Sequence, residues 1–268
     1  MPMSSLPVPG PVTEPARLSA CVICFNEEDR IGDCLSSLLW CDEIVVVDSH
    51  SADRTRVIAA AVGARVIERD WPGYAAQKEF AVRAATHDWV LCLDADERVS
   101  GALRDEIRAL RDRGFPGTAG WEMPRCSWYE GGWVRHGTWY PDWSLRLFDR
   151  RRGRWQAHEA YDVHERVVLD GECDRLRGDL LHFPYRDRVE HLYTIDRYTD
   201  AIAVGMHAAG QRAGLGRLIG HPLWELFRAL VIKRGFLDGR RGFRLAWLHA
   251  RYVAMKYWKL RRLGRGNA

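Results

Sequence analysis

Four short apolar runs alternate with helix-patterned stretches over the first hundred residues, and this alternation narrows the fold more than any other feature of the chain. Residues 18–25, 43–48 (EIVVVD), 64–68 and 89–94 (WVLCLD) have strand length and continuous rather than alternating hydrophobicity. That pattern belongs to strands buried on both faces. Between them, residues 28–39, 53–61 and 74–85 carry apolar residues at helical spacing, with Asn26 read as the cap of the first. Residues 100–112 form a further helix capped by Ser100. Strands separated by helices of about ten residues predict a parallel α/β sheet. The 268 residues, 47% hydrophobic, suffice for one large domain with a sizeable core.

The pattern then changes. Short strand-like pieces at 120–125, 144–149, 163–169 and 179–183 alternate with Gly- and Trp-rich loops, which predicts an antiparallel or mixed extension of the sheet carrying binding loops. After Pro184 the chain reads as three helices, 188–209, 222–234 and 240–263. Residues 1–16 hold five prolines and lack a basic start followed by an apolar run, so they read as a flexible lead rather than a signal peptide. No run of eighteen uncharged apolar residues occurs, and no conventional membrane-spanning helix is expected.

Ligands of open parallel sheets sit beyond the carboxyl ends of the strands. Here those ends read Asn26-Glu27-Glu28, Asp48-Ser49-His50-Ser51-Ala52-Asp53 and Asp94-Ala95-Asp96-Glu97. Single acids at strand ends are usually turns or caps, and Asp53 fits that. Three acidic ends on one edge exceed what packing requires. Asp94 and Asp96, one residue apart after an apolar strand, can face one ligand from a tight turn. Mg²⁺ or Mn²⁺ binds such carboxylates together with substrate phosphates.

The runs VICFNEEDRIGDCLSSL, EIVVVDSHSADRT, GYAAQKEFA and WVLCLDADE together resemble the inverting nucleotide-sugar glycosyltransferases of family 2. YPDWSLRLF (140–148), VHERV (163–167) and GFLDGRRGF (235–243) resemble a narrower branch, the lipopolysaccharide core glucosyltransferases. The resemblance implies a GT-A fold, a Rossmann-like mixed sheet flanked by helices, over residues 17–186. Residues 17–112 would bind the nucleotide sugar and 113–186 the acceptor. It implies a UDP-sugar donor, with Phe25 against the uracil, Asn26 and Glu27 at the nucleoside and ribose, and Asp48 on the uracil edge. Gln77 and Lys78 match a pair near the donor, where an ammonium could offset diphosphate charge; Glu79 stands where the branch has Asn. Asp94 falls near ribose and sugar, and Asp96 would ligate the metal. His164 could join the metal or orient a base. Inversion also needs a base for the acceptor hydroxyl. Glu165 fits best and Asp142 is the alternative. Arg146 either reaches the pyrophosphate or makes a structural ion pair.

Six of the twelve tryptophans lie between Trp121 and Trp155. Indoles stack on the apolar faces of sugars, so one to three of Trp128, Trp133, Trp139 and Trp143 are expected in the acceptor groove, on a loop that the glycines at 131 and 132 would let move. The seven cysteines read as reduced cytosolic thiols, and Cys21 and Cys24 as core rather than half of a zinc site. No Gly-rich phosphate loop supports ATP or NAD chemistry.

Residues 221–263 carry eleven Lys and Arg against Glu225 and Asp238, a local charge of +9; with Arg265 counted, −6 remains for residues 1–220. On a wheel of the last helix, Phe243, Ala246, Ala250, Val253, Tyr257 and Leu260 share one face, with the arginines opposite. The 187–268 region is therefore read as a basic amphipathic helical extension. It could lie in an anionic membrane interface, with Trp247 and Trp258 touching lipid, or dock on the catalytic domain with its arginines in water. Nucleic-acid binding has no module elsewhere to support it. These features predict an inverting, metal-dependent transferase of a hexose, glucose first, from a UDP-sugar to a lipid-linked saccharide such as the lipopolysaccharide inner core. Such an enzyme would be cytoplasmic and peripheral on the inner face of the cytoplasmic membrane. A polyprenyl phosphate or exopolysaccharide acceptor, or a non-catalytic binding module, are the alternatives. A nucleotidyltransferase would need a basic triphosphate loop where FNEED stands.

Overall fold

The computed structural model of the chain describes residues 15–157 and 165–265. The first half runs β1 (Leu18–Cys24), α1 (Ile31–Ser36), β2 (Glu43–Asp48), α2 (Thr55–Ala61), β3 (Arg65–Glu68), α3 (Tyr74–Ala84), β4 (Trp89–Asp94), β5 (Glu97–Val99) and α4 (Gly101–Arg111). Then follow β6 (Gly120–Tyr129), β7 (Gly132–Trp133), β8 (Asp142–Asp149), β9 (Gly153–Ala157), β10 (Glu165–Leu169), β11 (Cys173–Arg175) and β12 (Leu180–His182). Three helices close the chain: α5 (Arg188–Ala208), α6 (Leu215–Phe227) and α7 (Gly239–Arg265).

The main sheet has the order β3-β2-β1-β4-β8-β6-β12-β5. Strands β1 to β4 are mutually parallel, whereas β8 is antiparallel to both β4 and β6. This is the parallel sheet with a mixed extension that the sequence predicts. The continuous apolar runs are explained by burial on both faces. Leu18, Ala20, Val22, Leu91 and Leu93 pack toward α1, α2 and α4. Cys21, Ile23, Val90 and Cys92 pack toward α3 and Trp155 on the β9–β10 hairpin. Register then aligns the acidic ends, since Cys24 pairs with Asp48 and Ile23 with Asp94.

Several boundaries differ from the sequence reading. The helix expected over 28–39 is only Ile31–Ser36, because Asn26 does not cap it. Asn26 sits at φ 54° and its side-chain oxygen accepts from the Ala52 N–H at 2.8 Å, tying β1 to the loop after β2. Ser100 does cap α4, accepting from the Leu103 N–H. Pro222, read as a helix start, lies inside α6; Leu218 packs with Val253 and Tyr257 of α7, which draws the upstream turns into the helix. Gly132 lies against the Arg241 guanidinium. On α7, Ala246, Ala250, Val253, Tyr257 and Leu260 are buried as the wheel predicts, but Phe243 is exposed. Among the described residues no helix is long and apolar enough to cross a membrane.

Leu147 is fully buried on β8, paired with Leu91 and Trp121 where the antiparallel strand joins the parallel sheet. Leu147→Ala is expected to lower unfolding stability by about 2–5 kcal/mol, measured by urea titration.

Candidate active site

Two cavities open at the carboxyl edge of the sheet and share Tyr74 as a wall. The first, about 680 Å³, is lined by Phe25, Glu27, Ser49, Trp71, Tyr74, Asp94, Asp96, His182 and Arg197. The second, about 590 Å³, is lined by Arg125, Asp142, Trp143, Trp155, Glu165 and Tyr198 among others.

Between them runs a ladder of charges of alternating sign. The Lys78 ammonium, buried in α3, donates to Glu165 at 2.7 Å and to Asp94 at 3.0 Å. Arg146, buried on β8, donates to Asp94 at 2.9 Å and to Glu97 at 2.7 Å. Arg125 joins Glu97 at 3.3 Å to Asp142 at 2.6 Å. Glu165, Lys78, Asp94, Arg146, Glu97, Arg125 and Asp142 thus form one chain, with the two candidate bases at its ends. Burial opposes the charge on Asp94, but Lys78 and Arg146 outweigh it and hold the carboxyl well below its usual range. Burial likewise opposes the charge on Arg146, and Glu97 with Asp94 raises its pKa regardless.

The ladder revises several roles. Lys78 and Arg146 have their charge engaged by carboxylates, so neither stands free for a diphosphate; Arg146 is the structural ion pair. Arg197, from α5, lines the first cavity with its guanidinium. Asp48 is wholly buried, with its carboxylate accepting from the Ser51 N–H at 2.8 Å and the Ser51 hydroxyl at 2.5 Å. It shapes the loop instead of presenting an edge, and Ser49 reaches the cavity. Gln77 is also buried and donates to the Ser49 hydroxyl at 3.1 Å, supporting that position from behind. Glu79 accepts from the Trp155 N–H at 3.0 Å and so holds the β9–β10 hairpin onto α3.

Phe25 is 55% exposed at the cavity mouth. Glu27 lies beside it, its pKa pushed up to about 6 by burial. Asp96 pairs with no Lys or Arg among the described residues; the His182 imidazole lies beside it, Nε2 at 3.5 Å. Burial opposes ionisation of Asp96, but His182 outweighs it and lowers its pKa. Pairing delivers that histidine: β12 lies antiparallel to β5, opposing His182 to Glu97, and the Phe183 N–H donates to the Asp96 carbonyl. Sequence reasoning passed over His182; its signal was a histidine ending a short strand, with nothing local to say which strand it would join. Trp71 and Tyr74, edge-to-face at 4.7 Å, were also missed. His164 lies outside the described residues.

The tryptophans divide. Trp143 lines the second cavity, beneath the Arg175 guanidinium, and Trp155 joins it. Trp128 and Trp133 do not line either cavity: β7 pairs them across a hairpin, edge-to-face at 5.0 Å, beside Phe183. Trp139 packs on Tyr129, Tyr185 and His191 and lines a separate cavity of about 270 Å³ facing α5 and α7.

Among the described residues no three His, Cys, Asp or Glu side chains group as a complete metal shell. Asp96 with His182, beside Asp94, nonetheless fits part of one: a carboxylate without a basic side chain bonded to it, in a cavity wide enough for a ligand that brings further oxygens.

Comparison with known proteins accords with this geometry. The family model described as "Glycosyl transferase family 2" matches residues 19–166. The chain is 34% identical over 252 residues, 91% of each chain, to the lipopolysaccharide core biosynthesis glycosyltransferase LpsC of Rhizobium meliloti (strain 1021). It is 28% identical to an uncharacterized glycosyltransferase of Rickettsia typhi, over 92% of this chain and 87% of that one. Among solved structures, the mannosyltransferase PcManGT from Pyrobaculum calidifontis, in complex with GDP-Man and Mn²⁺, matches with a TM-score of 0.54 at 15% identity. That match covers 92% of this chain and 88% of the other, and it is a likeness of fold.

Removing the buried Lys78 ammonium leaves two half-buried carboxylates short of it, Glu165 and Asp94, the latter keeping Arg146. Lys78→Met is expected to cost about 3–5 kcal/mol of unfolding stability, read by urea denaturation. A loss under about 1 kcal/mol, typical of an exposed pair, would show that the ladder does not form in solution.

Proposed function

This chain belongs to glycosyl transferase family 2, and on that premise we propose that it is an inverting, metal-dependent hexosyltransferase. It moves glucose from UDP-glucose to a lipid-linked saccharide, the lipopolysaccharide inner core. The observation that carries this reading is the pair of adjoining cavities whose carboxylates, Asp94 and Glu165, share the Lys78 ammonium. A donor in one cavity and an acceptor in the other meet across Tyr74.

Phe25 offers its exposed ring to the base, and Glu27 accepts from ribose hydroxyls. Arg197 faces the diphosphate. Asp96 and His182 would hold Mg²⁺ or Mn²⁺ together with oxygens of the donor, and the ion would supply Lewis-acid neutralisation of charge on the departing UDP. Trp143, which lines the second cavity, stacks on an acceptor sugar. Glu165 takes the acceptor hydroxyl proton while that oxygen attacks the anomeric carbon from the face opposite UDP. The bond to UDP breaks, its electron pair leaves with the diphosphate, and the configuration inverts. Lys78 holds the Glu165 carboxylate in place, its ammonium 2.7 Å away. Asp142 is the second reading for the base, favoured by its greater exposure at the other end of the ladder. The basic C-terminal region supports a site of action at an anionic membrane surface.

A hydrolysis screen across UDP-, GDP- and CMP-sugars, with and without Mn²⁺ or Mg²⁺, tests the donor and the metal together. UDP-glucose with metal is expected to be consumed fastest. Metal-independent turnover, or turnover of GDP-sugars alone, would overturn the proposal. Glu165→Gln is expected to cut transfer by about 10²–10⁴-fold with donor affinity unchanged. If Asp142→Asn does so instead, the base is Asp142.

Glu27, with its pKa raised to about 6, is ionised at pH 7 and protonated at pH 5. A carboxylate accepts from ribose hydroxyls more strongly than a neutral acid, so affinity for UDP-glucose, whose diphosphate is esterified at both ends, should fall as pH drops through 6. Titration calorimetry should show that step in the native protein and none in Glu27→Gln.

A further inference from the structure

The hairpin of α6 and α7 exposes a surface that water alone does not account for. None of the thirteen residues of α6 is buried. Leu215, Ile219, Leu223 and Phe227 recur at steps of four along it and are 62%, 58%, 61% and 49% exposed. Phe236 and Leu237 continue the apolar row through the turn, and Phe243 and Trp247 extend it onto α7. A contiguous row of this kind marks an interaction surface, whereas scattered single apolar residues do not.

The charges around it have one sign. The two acids of the hairpin are engaged: Glu225 pairs with Arg228 and His249, and Asp238 accepts from the N–H groups of Arg135 and His136. Lys233, Arg234, Arg240 and Arg251 are exposed and pair with no carboxylate among the described residues. A second copy of this chain would bring these cations face to face, at a repulsive cost. An anionic bilayer meets both the apolar row and the cations around it. Thirteen helical residues span about 20 Å, short of the roughly 30 Å hydrocarbon core, so α6 would lie in the interface plane instead of crossing it.

We propose that the α6–α7 hairpin is an interfacial membrane anchor, with the α6 row and the turn inserted at the headgroup–acyl boundary and the flanking cations on lipid phosphate. It deepens the reading of a lipid-linked acceptor, on which it rests, and within the 187–268 region it names the α6 row and the turn as the inserted part, beside Phe243 and Trp247 of α7. That turn also seats the acceptor side of the fold. The Gly137 N–H donates to the Lys233 carbonyl at 2.8 Å, and Gly235 packs against Gly137. The segment leading to Asp142 and Trp143 is thereby fixed to the surface that meets lipid.

The test is flotation of the full chain with vesicles of phosphatidylcholine alone and of phosphatidylcholine with phosphatidylglycerol, at low and high salt. Native protein, an Ile219→Asp/Leu223→Asp variant and an Arg240→Gln/Arg251→Gln variant are compared. UDP-sugar hydrolysis serves as a folding control, since none of these residues lines the cavities. Native protein should float with anionic vesicles and keep part of its binding at high salt. The aspartate variant should lose at least about tenfold in partitioning, and the glutamine variant should lose its preference for anionic lipid. If the aspartate variant floats as well as native and high salt releases both, binding is electrostatic adsorption; insertion is overturned and the membrane reading stands. If native protein floats with neither vesicle, both fall. A dimer in lipid-free solution that the aspartate variant breaks, with no flotation, would identify a second copy as the occupant and overturn the proposal.

Discussion

The buried ammonium of Lys78 is the interaction on which the two halves of the site depend. It reaches Asp94 at the end of β4 and Glu165 at the start of β10, groups that nothing else on α3 would bring together. Taking a charge out of water costs several kcal/mol, and the cost is offset only when partners surround it with good geometry. Alternating signs from Glu165 to Asp142 provide those partners. Each internal member sits between two opposite charges, so the ladder holds β4, β6, β8, β10 and α3 in one arrangement.

That arrangement decides which groups remain for a ligand. Lys78 and Arg146 are the cations nearest Asp94, and both are engaged by carboxylates. Asp96, one step beyond, is ion-paired with no Lys or Arg among the described residues and has His182 beside it. Asp96 is therefore the carboxylate of this cavity that has no Lys or Arg bonded to it among the described residues, and Arg197 faces the same cavity from a different helix. The tail divides in a comparable way. One face of α7 closes the aromatic cluster around Tyr129 and Ile195, while α6 lies over α7 and turns its own apolar row outward.

Much of the donor side was legible because local physics determines it. A strand buried on both faces must read as a continuous apolar run, and β2 and β4 end where their runs end, at Asp48 and Asp94. Ser100 announces α4 by its own side chain. The acceptor side was less legible. Trp128, Trp133, Trp139 and Trp143 are equivalent in the sequence, and only the pairing of β7 with β6 and the packing of α5 sort Trp143 into the cavity and the others away from it.

The sequence by itself determined the α/β sheet, the edge at which its acidic ends collect, and the family, since each is carried by contiguous residues and their periodicity. Tertiary structure alone decided which charges are spent and which are free. Lys78 meets a partner 87 residues away, and His182 meets Asp96 through the register of two three-residue strands. Neither meeting leaves a local trace, because pairing between distant segments is set by the packing of the whole sheet and by the cost of leaving a buried charge alone.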